Sequence, residues 1–294
     1  MKPQQRQLLY AGLTVMLVII WIFYSANGPQ TTAVLAGTVR AATLLALGAM
    51  CGMIGERSGV VNIGIEGQFL LSAFAAFTIA SMTGSLFMGT VAGIGMGLMM
   101  GWLLAAMAVG LKVDQIIAGT VLNIAALGLT SFFYDRSRSL GIGKYTNIDL
   151  GPLADIPLVG TVFFSRPPLT YLTMALLVVV HIALFRSVWG MRTRAIGEHP
   201  GAADTVGIDV LRLRYLNVTL AGGLAGLGGA YLALEAVGTF NRAMSGGRGF
   251  LALAVMIFGR RTPFVAYAAA LFFGFTTALP NQFQLNNTFD IPPQ

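Results

Sequence analysis

Charged residues and cysteine are both scarce in this sequence. Lys and Arg number 18 and Asp and Glu number 11, so charged residues make up only 10% of the 294 positions. Soluble domains carry about 25% charged residues, and this shortage excludes a water-soluble fold. The single cysteine, Cys51, excludes a disulfide framework and a zinc site built from cysteines.

Recognisable catalytic motifs are missing as well. The two histidines, His181 and His199, lie in different segments, and the sequence contains no H-E-x-x-H, G-x-S-x-G or P-loop pattern. We therefore expect no catalytic residue, no metal site and no cofactor bound by this chain itself.

Hydrophobic residues make up 56% of the chain and form continuous blocks of roughly 20 residues, the length that a helix needs to cross a bilayer. These blocks predict an all-α polytopic membrane protein. The net charge of +7 does not indicate a nucleic-acid partner, because the basic residues are spread over short segments beside the hydrophobic blocks. Basic residues in such positions set membrane topology.

Nine blocks are candidate membrane segments. They span residues 8–24, 31–54, 63–83, 86–111, 116–134, 169–188, 215–237, 250–259 and 264–279. If the N-terminus is cytoplasmic and every block crosses, eleven basic residues lie inside and six outside, with Arg40 within a span. We interpret the first block as a retained helix, although Lys2 and Arg6 before it also fit a signal peptide.

The block 250–259 is too short to cross the membrane as a straight helix. Three glycines, Gly246, Gly247 and Gly249, come before it. We predict a half-helix or a re-entrant segment, which lipid tolerates only where protein or a water-lined cavity satisfies its free backbone groups. The total is then eight to nine transmembrane segments in a single transmembrane domain over residues 1–294. If this segment turns back, Arg260 and Arg261 change sides.

Two longer polar connections separate the blocks. Residues 135–168 are expected outside the cell, and residues 189–214 inside. With Arg186 included, the inner connection carries five arginines against the three acids Glu198, Asp204 and Asp209, which is typical of a cytoplasmic face.

The glycine-rich stretch GERSGVVNIGIEGQ, residues 55–68, contains the intramembrane acid Glu66. An ionisable residue in a span is by default a candidate functional site, because a charge in hydrocarbon costs at least ~2.5 kcal/mol. In a continuous helix Asn62 and Glu66 would share a face; alternatively, the glycines leave a short break. We predict that Asn62, Glu66, Asn123 and Arg40 line a translocation pathway. The competing hypothesis is structural: Glu66 neutralises Arg40, and Asn123 and Asn217 form interhelical hydrogen bonds.

Two rows of small residues recur at four-residue spacing. They are Gly89, Gly93, Gly97 and Gly101 in one block and Gly222, Gly226 and Ala230 in another. Because small residues allow close backbone approach in lipid, we predict helix packing at these rows. A sliding surface for conformational change is the alternative.

The inner connection also predicts a short surface helix. Its small residues at 201–206 follow Pro200 and end near Gly207, with arginines on both sides. Such a helix suits docking into a cleft of a partner protein; a solvated loop is the alternative. The candidate docking residues are Arg194, Glu198, Pro200, Ala202, Ala203 and Gly207.

Three motifs in order resemble the permease subunits of bacterial ABC importers of the branched-chain amino acid, ribose and nucleoside group, and most closely the nucleoside-type branch. They are GERSGVVNIGIEGQFLLSAFAAF at 55–77, RAIGEHPGAADTVGIDVLRLRYL at 194–216 and GGRGFLALAVMIFGRRTPFVA at 246–266. The resemblance covers most of the chain from about Thr31. Family members usually carry one more hydrophobic helix after the region that resembles LPNQFQLNNTFDIPPQ, with which the printed sequence ends.

The resemblance implies the ABC importer permease fold in a bacterial cytoplasmic (inner) membrane. Two permease subunits, copies or paralogues, would sit on two ATPase subunits, which use ATP and Mg²⁺, and would receive substrate from an extracytoplasmic binding protein. The connection 194–214 would hold the coupling helix. A nucleoside importer is the first hypothesis. The alternatives are the same machine carrying a simple sugar such as ribose, and an ion-coupled secondary transporter.

Overall fold

A computed structural model describes residues 24–25, 27–134, 140–141 and 143–285 of the chain. The ten α-helices bounded within these ranges are α1 Gly28–Arg57, α2 Ile65–Thr83, α3 Leu86–Ala105, α4 Gln115–Phe132, α5 Pro168–Arg186, α6 Val188–Glu198, α7 Pro200–Thr205, α8 Val210–Ala230, α9 Arg248–Phe258 and α10 Pro263–Leu285. Single π-helical segments, Ala106–Gly110 and Tyr231–Val237, continue α3 and α8. The fold class is therefore confirmed as helical and polytopic.

The connection between α4 and α5 holds the only β-structure of the described residues. Strands β1 (Ile148–Asp149) and β2 (Ser165–Arg166) pair antiparallel, with Ile148 opposite Arg166. A 3-10 turn at Gly151–Leu153 and a π-turn at Gly160–Phe164 lie between them.

Seven helices in the described residues are long and apolar enough to cross a membrane, and α9 is a shorter apolar helix. They correspond to eight of the nine predicted blocks. The remaining block, 8–24, lies outside the described residues except for its last position, so the total of eight to nine stays a prediction. Helices α6 and α7 were not predicted as a pair; only the second was expected.

The core is formed by α1, α2 and α8. In the most apolar window of each, about two thirds or more of the residues are buried, against 28% in α4 and α10. Helices α3, α4, α5 and α10 surround this core and turn large apolar side chains outward, as with Phe132, which is 81% exposed. Outward apolar side chains on peripheral helices match a lipid environment, where they cost nothing.

The glycine rows bring α3 and α8 into backbone contact, as predicted. A Cβ added to Gly97 would lie 2.3 Å from the carbonyl oxygen of Gly222, and one added to Gly222 would lie 2.3 Å from that of Gly97. The same holds for Gly226 against the carbonyl of Gly93, at 2.5 Å. The hydrophobic effect does not drive helices together in lipid, because the lipid tails are as apolar as the side chains. Close packing therefore supplies the attraction between α3 and α8.

One end of the bundle collects the basic residues near the ends of α1 and α9. The carboxylate of Glu56 forms an ion pair with Arg261 at 2.6 Å, and Arg57 donates to the Arg261 carbonyl at 3.1 Å. Residues 260–261 therefore lie on the same face as Arg57. The short block therefore ends beside the C-terminal end of α1.

Candidate functional site

The chain between α1 and α2 is non-helical while it lies inside the bundle. Asn62 contacts Cys51, which precedes Arg57 by six residues or about 9 Å along α1. The predicted break in the helix is therefore confirmed, and Asn62 and Glu66 do not share one helix. Neighbouring helices satisfy the free backbone groups of the break: Gln115 of α4 accepts from the Val61 amide at 2.7 Å and donates to the Gly59 carbonyl at 3.3 Å.

Helix α2 begins without a cap of its own, because the residue before it is Gly64. Asn123 of α4 supplies the missing partner. Its Oδ1 accepts from the Gly67 amide in the first turn of α2 at 2.7 Å, while its Nδ2 donates to the Ile63 carbonyl at 3.1 Å. Asn123 is thus an interhelical hydrogen-bond partner, as the structural hypothesis stated.

Helix α9 also begins without a cap, after Gly247 in the left-handed conformation at φ +79°. Glu66 reaches across and caps it: one carboxylate oxygen accepts from the Gly247 amide and the other from the Gly249 amide, both at 2.7 Å. The expected pairing of Glu66 with Arg40 is wrong. The amides and the positive end of the helix dipole stabilise the carboxylate in place of a cation.

The start of α9 is set back from the end of the bundle at which α1 ends. Its 11 residues span about 16 Å, roughly half of the ~30 Å thickness of a hydrocarbon layer, and its last turn is near Arg261 at that end. Gly247 and Arg248 are exposed there, and Glu66 is half-buried. Because an arginine at this depth cannot face lipid without a large cost, this surface must face water or another protein. We call Glu66, Gly247 and Arg248 the mid-membrane polar surface.

Asn62 lies behind this surface and not on it. Only 1% exposed, it donates from Nδ2 to the Gln68 Oε1 at 3.0 Å and to the Cys51 sulfur at 3.3 Å. Asn62 is thus buried in this structure, and its place in a translocation pathway stays a prediction. Gln68 and Cys51 were missed because a lone glutamine and a lone cysteine within apolar blocks carry no periodic signal.

A third helix without its own cap starts at the opposite end of the bundle. Helix α5 follows Pro167, which has no capping side chain, and the buried carboxylate of Glu235 replaces one. It accepts from the Leu169 amide at 2.7 Å, the Thr170 amide at 3.1 Å and the Thr170 hydroxyl at 2.6 Å. Glu235 is only 4% exposed and therefore does not face water. The sequence P-P-L-T at residues 167–170 was the available signal, because it begins a helix at a proline that cannot accept a capping hydrogen bond with its side chain.

Arg40 belongs to this outer end. It lies about 25 Å along α1 from Arg57, and the Tyr231 hydroxyl donates to its carbonyl oxygen at 2.6 Å. A small cavity there is lined by Arg40, Glu235 and Arg166 among others. Arg40 is thus separated from the mid-membrane polar surface by much of the bundle.

The connection 189–214 forms a helical hairpin of α6 and α7, which is bound to the ends of the core helices. Asn217 of α8 accepts from the Trp189 indole at 3.0 Å and donates to Thr193 at 3.1 Å. Arg214 donates to the Ile196 carbonyl at 3.0 Å and the Ser58 carbonyl at 2.9 Å.

The hairpin touches α1 directly as well. A Cβ on Gly197 would come within 2.2 Å of the Arg57 carbonyl, so the two backbones touch. Arg57 and Arg194 both lie over the ring of Phe185, each 5.5 Å from its centre. The hairpin therefore cannot shift without moving the ends of α1 and α8.

Helix α7 has the predicted position and end, from Pro200 to Thr205, with Gly207 at φ +82°. Ala202 is exposed, and so are Glu198, Pro200 and Gly207, whereas Arg194 is half-buried. Ala203 is only 4% exposed, so its assignment to an exposed docking face is wrong. Val206, at 75% exposure, and Leu211, at 59%, add an apolar component that residue composition alone did not indicate.

The fold and these two sites define a multi-pass helical membrane protein with an intramembrane helix start and an anchored basic hairpin, which is the architecture of a transport component. The family model described as branched-chain amino acid transport system / permease component matches residues 34–291. The chain belongs to this family.

Several known proteins are similar to this chain over most of their length. The guanosine ABC transporter permease protein NupQ of Bacillus subtilis is 36% identical over 247 residues, which cover 80% of this chain and 77% of the relative. The nucleoside ABC transporter permease protein NupC of Lactococcus lactis is 37% identical over 242 residues, 78% and 75% of the two chains. The putative glucose ABC transporter permease protein TsgC13 of Haloferax volcanii is 36% identical over 246 residues, 82% and 75%.

Proposed function

We propose that this chain is the permease subunit of an ATP-driven importer for nucleosides in a bacterial cytoplasmic membrane. Separate ATPase subunits would hydrolyse ATP with Mg²⁺, a second permease subunit would complete the pore, and an extracytoplasmic binding protein would deliver the substrate. The observation that carries the proposal is the α6–α7 hairpin, since its contacts with Arg57, Arg214 and Asn217 link it to two core helices.

The α6–α7 hairpin has the properties of a segment through which a partner protein can transmit movement to the core helices. Its outer side exposes small and apolar residues, Ala202, Val206 and Leu211, which suit a protein cleft better than water. Its inner side is held by buried hydrogen bonds at Asn217, which is 0% exposed. A partner that pulls on α7 would therefore move α1 and α8 together.

The mid-membrane polar surface is the proposed wall of the pathway. Glu66 and the exposed Arg248 lie about half-way through the membrane, where polar groups need water or a second subunit. Asn123 contributes indirectly, because it holds the first turn of α2 beside Glu66.

Nucleosides are proposed as substrates because the names of two relatives specify guanosine and nucleosides. Deletion of this gene, with the ATPase and binding protein left intact, is expected to abolish energised uptake of radiolabelled nucleosides, and a plasmid copy to restore it. Unchanged nucleoside uptake in the deletion strain would contradict the assignment.

A simple sugar such as ribose is the second candidate substrate. The name of the Haloferax relative specifies glucose, which shares the neutral, hydroxyl-rich chemistry of a nucleoside ribose. A competition assay separates the two candidates. If unlabelled ribose or glucose suppresses uptake of the labelled substrate and unlabelled nucleosides do not, the substrate is a sugar. No comparison supports the ion-coupled alternative, which predicts uptake that survives ATP depletion.

Substitution of Ala202 by arginine tests the docking face. The new side chain would place a charge in the proposed contact with the ATPase, and we expect co-purification of the ATPase and nucleoside uptake to fall at least about ten-fold, the equivalent of 1.4 kcal/mol. Asp155→Arg, at an exposed position on the outer connection, is the matched control. Normal transport by the Ala202 variant would argue against docking at α7. The buried Ala203 is unsuitable for this test, because arginine there would disrupt the hairpin itself.

A further inference from the structure

The small cavity at the outer end of the bundle carries an unbalanced positive charge. It encloses about 50 Å³, and its lining includes Arg40, Lys144 and Arg166, with Glu235 as the only acid among the described lining residues. Three cations against one carboxylate leave a net charge of +2. A single water-sized group needs roughly 10–15 Å³ of such space, so the cavity has room for a small ion.

Arg166 is the clearest sign of a missing partner. The residue is 5% exposed; its Nε donates to the Val162 carbonyl at 2.7 Å and its Nη1 to the Ala36 carbonyl at 3.1 Å. Its Nη2 is buried and has no partner among the described residues. A buried guanidinium nitrogen without an acceptor is expensive, because desolvation is not repaid by a hydrogen bond.

Neither arginine at the cavity is balanced by an ion pair with a described residue. The Glu235 carboxylate already accepts three hydrogen bonds at the start of α5. Burial and the neighbouring charge of Arg40 lower the pKa of Arg166, so the two cations lie close enough to repel each other. Like charges placed together repel each other, and an anion between them would relieve this repulsion.

We propose that this cavity binds one small monovalent anion of halide size, held by Arg166 and Arg40 with Lys144 at its mouth. The polar side chains of Tyr145 and Asn147 also line the cavity and can donate to such an ion. The volume admits chloride or bromide but not a group the size of a nucleotide. The ion would join α1 to the outer connection next to the start of α5, so its effect is expected on stability.

Halide titration of the full-length protein in lipid nanodiscs tests the site. Sodium chloride or bromide, exchanged for sodium gluconate at constant ionic strength, is expected to raise Tm saturably by roughly 2–4 °C. Arg166→Gln and Arg40→Gln should each abolish this rise, and the exposed Arg192→Gln should retain it. Because Arg166→Gln also disturbs the hydrogen bonds to the Val162 and Ala36 carbonyls, halide binding is measured separately by ³⁵Cl NMR line broadening in Arg40→Gln, where the broadening should be lost.

The other source of the same chemistry is a carboxylate from a docked binding protein. The titration omits that protein, so a halide-dependent rise identifies a free anion. Equal Tm values in chloride and gluconate would overturn the proposal, and so would a halide effect that is the same in all three arginine variants. A rise produced only by adding the binding protein would also overturn it. The outcome is independent of which substrate the chain transports.

Discussion

Replacement of Gly97 by alanine is expected to lower Tm by roughly 3–10 °C and to reduce the yield of folded protein from membranes. The added methyl would lie 2.3 Å from the Gly222 carbonyl and 2.4 Å from the Gly226 Cα, distances that no side-chain rotation can relieve because both atoms are backbone. Overpacking of this kind typically costs about 1–3 kcal/mol. Leucine at the same position should prevent α3 and α8 from packing at all.

Gly95→Ala is the matched control for this prediction. Gly95 is on the same helix, two residues away, and a Cβ there would meet nothing within 4 Å. Its Tm should be unchanged or slightly raised, because alanine favours helix over glycine by about 1 kcal/mol. Thermal unfolding and size-exclusion profiles of the purified variants give the comparison. Equal Tm values for the two alanine variants would mean that the α3–α8 contact is not close.

Replacement of Glu66 by alanine is expected to abolish uptake and to lower Tm by roughly 3–10 °C. The substitution removes the acceptor of the Gly247 and Gly249 amides, at a depth where water does not replace it on the buried side. Hydrogen bonds to a charged group contribute about 1.5–3 kcal/mol. Glu66→Gln keeps one good acceptor oxygen and should give an intermediate Tm. A Tm that falls from the unaltered chain to Glu66→Gln and then to Glu66→Ala would indicate a capping role.

Asp155→Ala controls for the loss of a negative charge, since Asp155 is exposed on the outer connection. Tm and nucleoside uptake are measured for all variants. A Glu66→Ala protein with the Tm of the unaltered chain would show that the carboxylate does not hold α9. Normal Tm together with lost uptake would assign Glu66 to substrate contact alone.

The helical segments were largely predictable from the sequence, because a membrane span is a local property. Twenty apolar residues cross a bilayer whatever they pack against, so eight of the blocks reappear as helices with ends shifted by a few residues. The position of α7 was equally local, since Pro200 and Gly207 mark its start and end. Helix α6 was missed because its arginines and glycines obscure a helical pattern.

The contact between the glycine rows was also predictable in kind. Small residues every four positions make a flat face on one helix wherever that helix lies. The sequence did not show which two faces meet. In the structure, the row that contains Gly97 packs against the row that contains Gly222. The identity of a partner depends on the path of the whole chain and not on either helix alone.

The polar residues inside the membrane were the least predictable part of the site. Sequence reasoning recognised Glu66 and Asn123 as unusual, but for Glu66 it considered only a pathway role and a pair with the oppositely charged Arg40. In the described residues these side chains cap helices. Asn123, Glu66 and Glu235 accept hydrogen bonds from backbone amides at the starts of α2, α9 and α5 respectively, none of which has a capping residue of its own.

The sequence by itself determined that this chain is a helical membrane protein with a basic hairpin on one face and a short apolar segment that cannot cross alone. Span length, glycine spacing and the distribution of arginines are local properties of the sequence, so they are the same however the helices pack. Only the tertiary structure decided where the unpaired amides of three helix starts find their acceptors. Hydrogen bonds form between groups that the fold brings within about 3 Å, and those groups lie up to 183 residues apart along the chain.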